Sequence, residues 1–270
     1  MKPLANRPRQ RRAAVLRSVS ALLPLGGLGF LWAWLTPVPA LPPDHQGLCR
    51  TEVAGSVEYI VCSVPLDRYE LKLFAADPDG KPFAGFRAMA DSLPAPPLLA
   101  VNAGMFDHDY RPVGLAVQDG VQIAPISTAD GPGNFHMKPN GIFFIEGGKA
   151  AVRPTDRYRA EGHAPDLATQ SGPMLLIDGE LHPRFIKGSD SRFVRNGVGV
   201  SEDGRIVYLV LSRQPVNFWD FALFFRDRLS CRDALFLDGQ ISGLFYPAAD
   251  IDYQPYDLGP MLAVLPKADG

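Results

Sequence analysis

The chain has 270 residues, 46% of them hydrophobic and 21% charged, a balance that excludes a disordered or fibrous protein. Residues 1–40 carry Lys2, Arg7, Arg9, Arg11, Arg12 and Arg17 and no acidic group, so 21 Lys and Arg face 29 Asp and Glu in the remaining 230 residues. A body that acidic lacks the basic footprint of a nucleic-acid binder, and no nucleic-acid partner is expected.

The first forty residues read as a targeting segment. No charge falls between residues 18 and 43, and residues 21–34 are mostly Leu, Gly, Ala, Phe and Trp. A basic start, an apolar middle and the small-residue ending Val38-Pro39-Ala40 make a secretory signal cleaved after Ala40. The alternative is an uncleaved anchor, since about 20 apolar residues span a bilayer. Either way the body is exported: periplasmic or secreted, or held at a membrane only through this segment. Residues 41–56 read as a linker and first segment, and 57–265 as a single domain.

That domain is expected to be α+β: a strongly twisted mixed β-sheet core with many hairpins and a few helices. Residues 57–64 and 71–74 read as strands, 83–92 as a short helix, and 98–101 as a buried strand behind Pro94, Pro96 and Pro97. Hairpin signals follow at Asp119-Gly120, Gly147-Gly148, Asp178-Gly179 and Glu202-Asp203-Gly204, each beside an apolar run. Phe218, Phe221, Ala222, Phe225 and Leu229 recur on one face of a 3.6-residue period, with Asn217 at the N-cap position. Residues 234–237 then form an apolar run too short for a helix, a strand covered on both faces.

Cys49, Cys62 and Cys231 permit at most one intramolecular disulfide. Cys49–Cys62 and Cys62–Cys231 both satisfy the sequence, as do three free thiols. No Cys-x-x-Cys, Gly-x-Ser-x-Gly elbow, phosphate loop or His-x-x-x-His pair occurs.

What remains is a set of polar residues at strand ends. Asn102, Gly104 and Asp107 follow one strand; Asn140 precedes another; Ser171 precedes a third, Arg195-Asn196 a fourth, and Asp238 and Ser242 follow a fifth. Each pattern also suits an ordinary turn. Five such elements converging on one rim would suit a polyhydroxylated sugar.

The ordered set of motifs is more specific than any one of them. Asn102-Ala103-Gly104-Met105-Phe106-Asp107, Pro112-Val113-Gly114-Leu115 and Asn140-Gly141-Ile142-Phe143-Phe144 resemble the first half of the phosphodiester glycosidase family. Thr169-Gln170-Ser171-Gly172-Pro173, Arg195-Asn196-Gly197-Val198-Gly199 and Leu237-Asp238-Gly239-Gln240-Ile241-Ser242 resemble its second half, in wording that suits an exported bacterial subgroup. Two departures stand out. The family usually has Pro-Arg-Thr at 195–197 and Asp-Gly-Gly-x-Ser at 238–242.

The resemblance implies hydrolysis of a sugar 1-phosphodiester in an envelope or extracellular glycan. Arg195 is the expected phosphodiester ligand, because guanidinium pairs bidentately with phosphate oxygens. Asp238 and Asp107 are the expected catalytic pair, one activating water or acting as nucleophile while the other orients the sugar or assists the leaving phosphate. Asn102, Gly104, Asn140, Ser171, Asn196 and Ser242 would hold the substrate. No cofactor is required by the sequence; calcium or magnesium fits an oxygen-ligand set built from Asp107 and Asp238. The rival from another class is a non-catalytic envelope glycan-binding protein on the same scaffold. Asp238 is expected in a pocket shared with Asn102, with Arg195 or Asn140 on its wall.

Overall fold

Apolar runs without alternation, such as Tyr59-Ile60-Val61-Cys62 and Ile142-Phe143-Phe144-Ile145, need cover on both faces of a sheet. The structure, a computed structural model, describes residues 37–42 and 45–267, which belong to one compact unit. The expected signal or anchor therefore lies, up to residue 36, outside the described residues.

Three sheets enclose a shared core. The first holds β1 (Cys49–Ala54), β2 (Val57–Pro65), β10 (Met174–Ile177), β11 (Glu180–Leu181), β12 (Asn196–Val200), β13 (Ile206–Ser212) and β14 (Ala234–Phe236), in the order β1-β2-β13-β12-β14-β10-β11. The second holds β3 (Tyr69–Phe74), β4 (Leu99–Asn102), β15 (Leu244–Tyr246), β16 (Ile251–Tyr253) and β17 (Met261–Pro266), ordered β16-β15-β4-β17-β3. The third holds β5 (Ala116–Gln118), β6 (Val121–Ala124), β7 (Gly141–Glu146), β8 (Lys149–Pro154) and β9 (Leu167–Ser171), ordered β6-β5-β9-β7-β8. Ile60, Leu73, Val101, Phe143, Leu235 and Leu262 meet in the core between them.

Each sheet's other face is closed by one helix. α1 (Phe86–Asp91) sets Phe86 and Met89 on Ala100 and Met261 of the second sheet. α2 (Thr155–Glu161) sets Tyr158 on Ile142 and Phe144 of the third. α3 (Phe218–Leu229) sets Phe221 and Phe225 on Val61, Leu175 and Phe236 of the first. The expected two-sided cover of β14 is present, with Leu235 facing the shared core and Ala234 and Phe236 facing α3.

The α+β class holds, with one correction to the sheet. Every strand pairing among the described residues is antiparallel, so three antiparallel sheets stand where a mixed one was expected. β13 and β14 do run the same way, joined through α3, but β12 lies between them and pairs antiparallel with both. The crossover thus never produces a parallel ladder.

The hairpin signals hold. Asp119-Gly120, Gly147-Gly148 and Asp178-Gly179 all have positive φ at both turn positions and close β5–β6, β7–β8 and β10–β11. Asn217 caps α3, its side-chain Oδ1 accepting from Asp220 N at 2.8 Å, and Ser230 ends it in the left-handed region. α1 is shorter than the 83–92 span expected. Ala84 has φ 59° and bridges to Leu258, and Phe86 N donates to Gln254 Oε1, so the helix starts only at Phe86. Of the cysteine alternatives the structure has Cys49–Cys62, cross-strand partners of β1 and β2, while Cys231 is free and buried.

Candidate functional site

The site begins where the first and second sheets meet. Asn102 ends β4 and Asn196 opens β12, and both are buried. Asn196 Nδ2 donates to Asn102 Oδ1 at 2.9 Å, and Gly243 N donates to the same oxygen at 2.9 Å. Asn102 Nδ2 in turn donates to the Asp238 carbonyl at 2.8 Å. Ser242 Oγ closes the loop by donating to Gly239 O at 3.0 Å. Buried amides must be satisfied, and this network satisfies them by fixing the path of residues 238–243. Asn102, Asn196 and Ser242 thus direct these polar atoms into the protein.

Asp238 leaves β14 half-buried and lines a cavity of about 520 Å³ with Arg195, Met105, Phe106, Asn134 and Phe135. Gly239 is required here by packing, since a Cβ would stand 2.6 Å from the Phe236 ring. The chain bends there in one 3-10 turn, Gly239–Ile241, without a positive φ at Gly239.

Arg195 is the most unusual side chain in the wall, only 2% exposed. Its guanidinium carbon sits 3.6 Å from the centre of the Phe218 ring, with Phe193 and Phe236 at 5.5 and 5.4 Å. Nε donates to Val216 O at 2.8 Å and Nη2 to Ser191 O at 3.1 Å. Burial pushes its pKa down to about 10, so it remains a cation at neutral pH, in poor contact with water. Such a charge is stabilised by an anion brought to the cavity.

Asp107 is placed elsewhere. It follows Phe106, which lines the cavity, but Asp107 itself is not among the lining residues. Its Oδ1 accepts from Asp109 N at 2.9 Å and Arg111 N at 3.1 Å, and these backbone donors hold its carboxyl below the usual range. Asp107, His108 and Asp109 bring ligand-type atoms within 4.8 Å of one another at the surface. The Asp107–Asp238 oxygen set expected for calcium or magnesium is not gathered in this cavity.

Asn140 braces the wall from behind, its Nδ2 donating to Phe135 O at 2.9 Å. Gly104 N donates to Thr169 Oγ1 at 3.1 Å, and a side chain at Gly104 would collide with the Gln170 carbonyl. Ser171 pairs with Gly141 in the ladder, and its buried Oγ has no partner. Sequence reasoning missed Gln170, whose Oε1 accepts from Leu115 N and Ser127 N, both at 2.9 Å, while Nε2 donates to Ser127 O. The signal was an amide inside an otherwise closed strand. It also missed the aromatic wall of Phe193, Phe218 and Phe236, which reads in sequence as ordinary core.

These residues lie within a stretch, 97–261, that matches the phosphodiester glycosidase family. The chain belongs to that family. Among curated relatives it is 36% identical over 166 residues to the uncharacterized protein YigE of Escherichia coli (strain K12), covering 62% of this chain and 65% of that relative's length. Among solved structures it is similar to the catalytic domain of zebrafish N-acetylglucosamine-1-phosphodiester alpha-N-acetylglucosaminidase, auto-inhibited by its pro-peptide, with a TM-score of 0.61 and 16% identity. That match covers 84% of this chain and 87% of the zebrafish chain. A hypothetical protein from Synechocystis matches with a TM-score of 0.55 and 14% identity, over 81% of this chain and 61% of its own. At these identities the solved structures share the fold.

Proposed function

We propose that the chain is an exported hydrolase that cleaves a sugar 1-phosphodiester in the cavity lined by Arg195 and Asp238. The observation that carries this reading is the buried Arg195 guanidinium, a cation held in a cavity wall where a diester anion would offset its lost hydration. Asp238 is assigned the chemistry. Its carboxylate takes a proton from water, the water oxygen bonds to the anomeric carbon, and the bond from that carbon to the phosphate oxygen breaks. The products are the free sugar and a phosphomonoester, whose low pKa lets it leave without a strong general acid.

Asn102, Asn196 and Ser242 are assigned the positioning of the Asp238 loop, and Asn140 that of the Phe135 wall. Asp107 is assigned the shape of the loop that presents Phe106. The Cys49–Cys62 disulfide suits an oxidising, exported location.

The test is the purified chain against a panel of sugar 1-phosphodiesters and cell-wall polymers, with free sugar and phosphomonoester as readouts. Asp238→Asn is expected to lower turnover by about 100-fold or more. Glycan binding without turnover in the wild type would replace this reading with the glycan-binding one.

A further inference from the structure

Residues 37–42 lie ahead of the first strand, yet they are seated in the body. Val38 is 2% exposed and Leu41 8%, and both belong to the central core with Ile60, Leu209 and Tyr246. Arg213, just beyond β13, donates through Nε to Pro39 O at 3.1 Å and through Nη2 to Val38 O at 3.3 Å. Glu58 on β2 holds that guanidinium from its other side. Downstream, His45 Nε2 meets Tyr246 Oη at 2.7 Å, and Cys49 is bonded to Cys62.

The seat therefore includes Val38 and Pro39, two residues of the small-residue ending Val38-Pro39-Ala40. A cut after Ala40 would remove a buried core side chain and both carbonyls that Arg213 bonds. It would leave a cavity in the core and two guanidinium donors without their acceptors. A signal peptide is discarded, so it gains nothing by being built into the fold. The uncharged stretch from Ser18 to Thr36 has about the length that spans a bilayer, behind six basic residues that favour the cytoplasmic side.

We infer that the chain is not processed after Ala40: the mature protein keeps Val38 and Pro39 as part of its folded body, and the apolar segment upstream holds it to a lipid bilayer. This inference is independent of the reaction assigned above.

The experiment uses the full chain with a C-terminal affinity tag, exported in a Gram-negative host, followed by intact mass and membrane fractionation. The expected product contains residues 1–40, stays in the membrane fraction through a carbonate wash and is released by detergent. Ala40→Tyr, which places an unacceptable residue before the cleavage point, should give the same full-length product, heavier only by the substitution itself, at the same location. A wild-type product that starts at Leu41, or one found in the soluble fraction, overturns the inference. Val38→Ala in the full chain should lower the Tm by about 3–6 °C, as expected for a lost core contact in a body of this size. An unchanged Tm would show that the seat contributes nothing to the fold and would also overturn it.

Discussion

Arg195 lies among Phe218, Phe193 and Phe236 with two of its nitrogens on backbone carbonyls, so its direction is set before any ligand arrives. The Phe218 face is the nearest support. A cation over an aromatic ring in a desolvated setting contributes about 1–2 kcal/mol. Phe218→Leu keeps an apolar side chain and removes that face. It should lower the Tm by about 2–8 °C, because the contact is present without ligand, and raise KM for the cleaved diester as Arg195 loses its fixed direction, with kcat close to wild type. Equal KM values in the two proteins would show that the ring does not act through Arg195. At this scale the sequence was partly legible. Arg195 shares a cavity with Asp238 as expected. Asn102, expected in that pocket, is not among its lining residues: it is buried behind the loop and bonds the Asp238 carbonyl. Asn140 does not line the cavity either. Whether an asparagine there faces a ligand or braces a loop was not legible, because both uses need the same residue type at the same place. Three buried amide-bearing residues, Asn102, Asn196 and Gln170, bond within the protein, and only their partners reveal it.

Elements were legible where local backbone chemistry decided them. Positive φ at Asp119-Gly120 and Asp178-Gly179 is demanded by the turn itself, so those hairpins were visible in sequence. β9 was not read as a strand, because Thr169-Gln170-Ser171 carries the polarity of a loop and is buried only by virtue of distant partners. Two elements carry tests of their own. His163, just after α2, has Nδ1 at 2.8 Å from Glu146 Oε2 on β7 and Nε2 at 2.8 Å from Glu161 Oε2 on α2. Burial pulls its pKa down, but the hydrogen bonds to Glu146 and Glu161 outweigh that and raise it above 6.5. A raised histidine stabilises the fold fully below about 6.5 and loses that contribution as pH rises through the folded value. Glu146 is lowered by the same bond, so its share is present above about 4.5 and lost as pH falls through the folded value. His163→Gln should therefore lower Tm more at pH 6 than at pH 9, measured by thermal melts across that range. Equal losses at both would rule out a charged clamp. The Cys49–Cys62 bridge, with a sequence separation of 13, ties β1 to β2 at the start of the body. Loop-closure entropy for a ring of about that size amounts to roughly 3 kcal/mol. The double Cys49→Ser, Cys62→Ser variant should melt about 6–12 °C lower, and reductant should reproduce the shift in the wild type.

At the scale of the molecule, the family match covers residues 97–261, but the strands that complete two of the three sheets lie outside it. β2 pairs with β13 along seven residues, from Ile206 against Pro65 to Ser212 against Tyr59, and so carries that side of the first sheet. β3 pairs with β17 along its whole length and forms one edge of the second sheet. Ile60, Cys62, Val64, Leu71 and Leu73 bring their side chains into the core that all three sheets share. The sequence placed β2 and β3 correctly as strands, yet nothing local said that they pair with elements more than a hundred residues downstream. Such pairings are decided by the completed core, where the cost of closing long loops is recovered only when the non-local contacts form. A chain trimmed to residues 97–261 would uncover β13 and remove β17 except for Met261, which leaves β13 and β4 as open apolar edges and much of the shared core open to water. It should therefore fail to give a cooperative melt by circular dichroism and should aggregate at micromolar concentration. A chain starting at Pro37 and ending at Lys267 should melt in one transition, because it retains every strand of the three sheets. A cooperative transition in the 97–261 chain would show that the family segment folds without β1, β2, β3 and β17, and the three-sheet account of the core would fail.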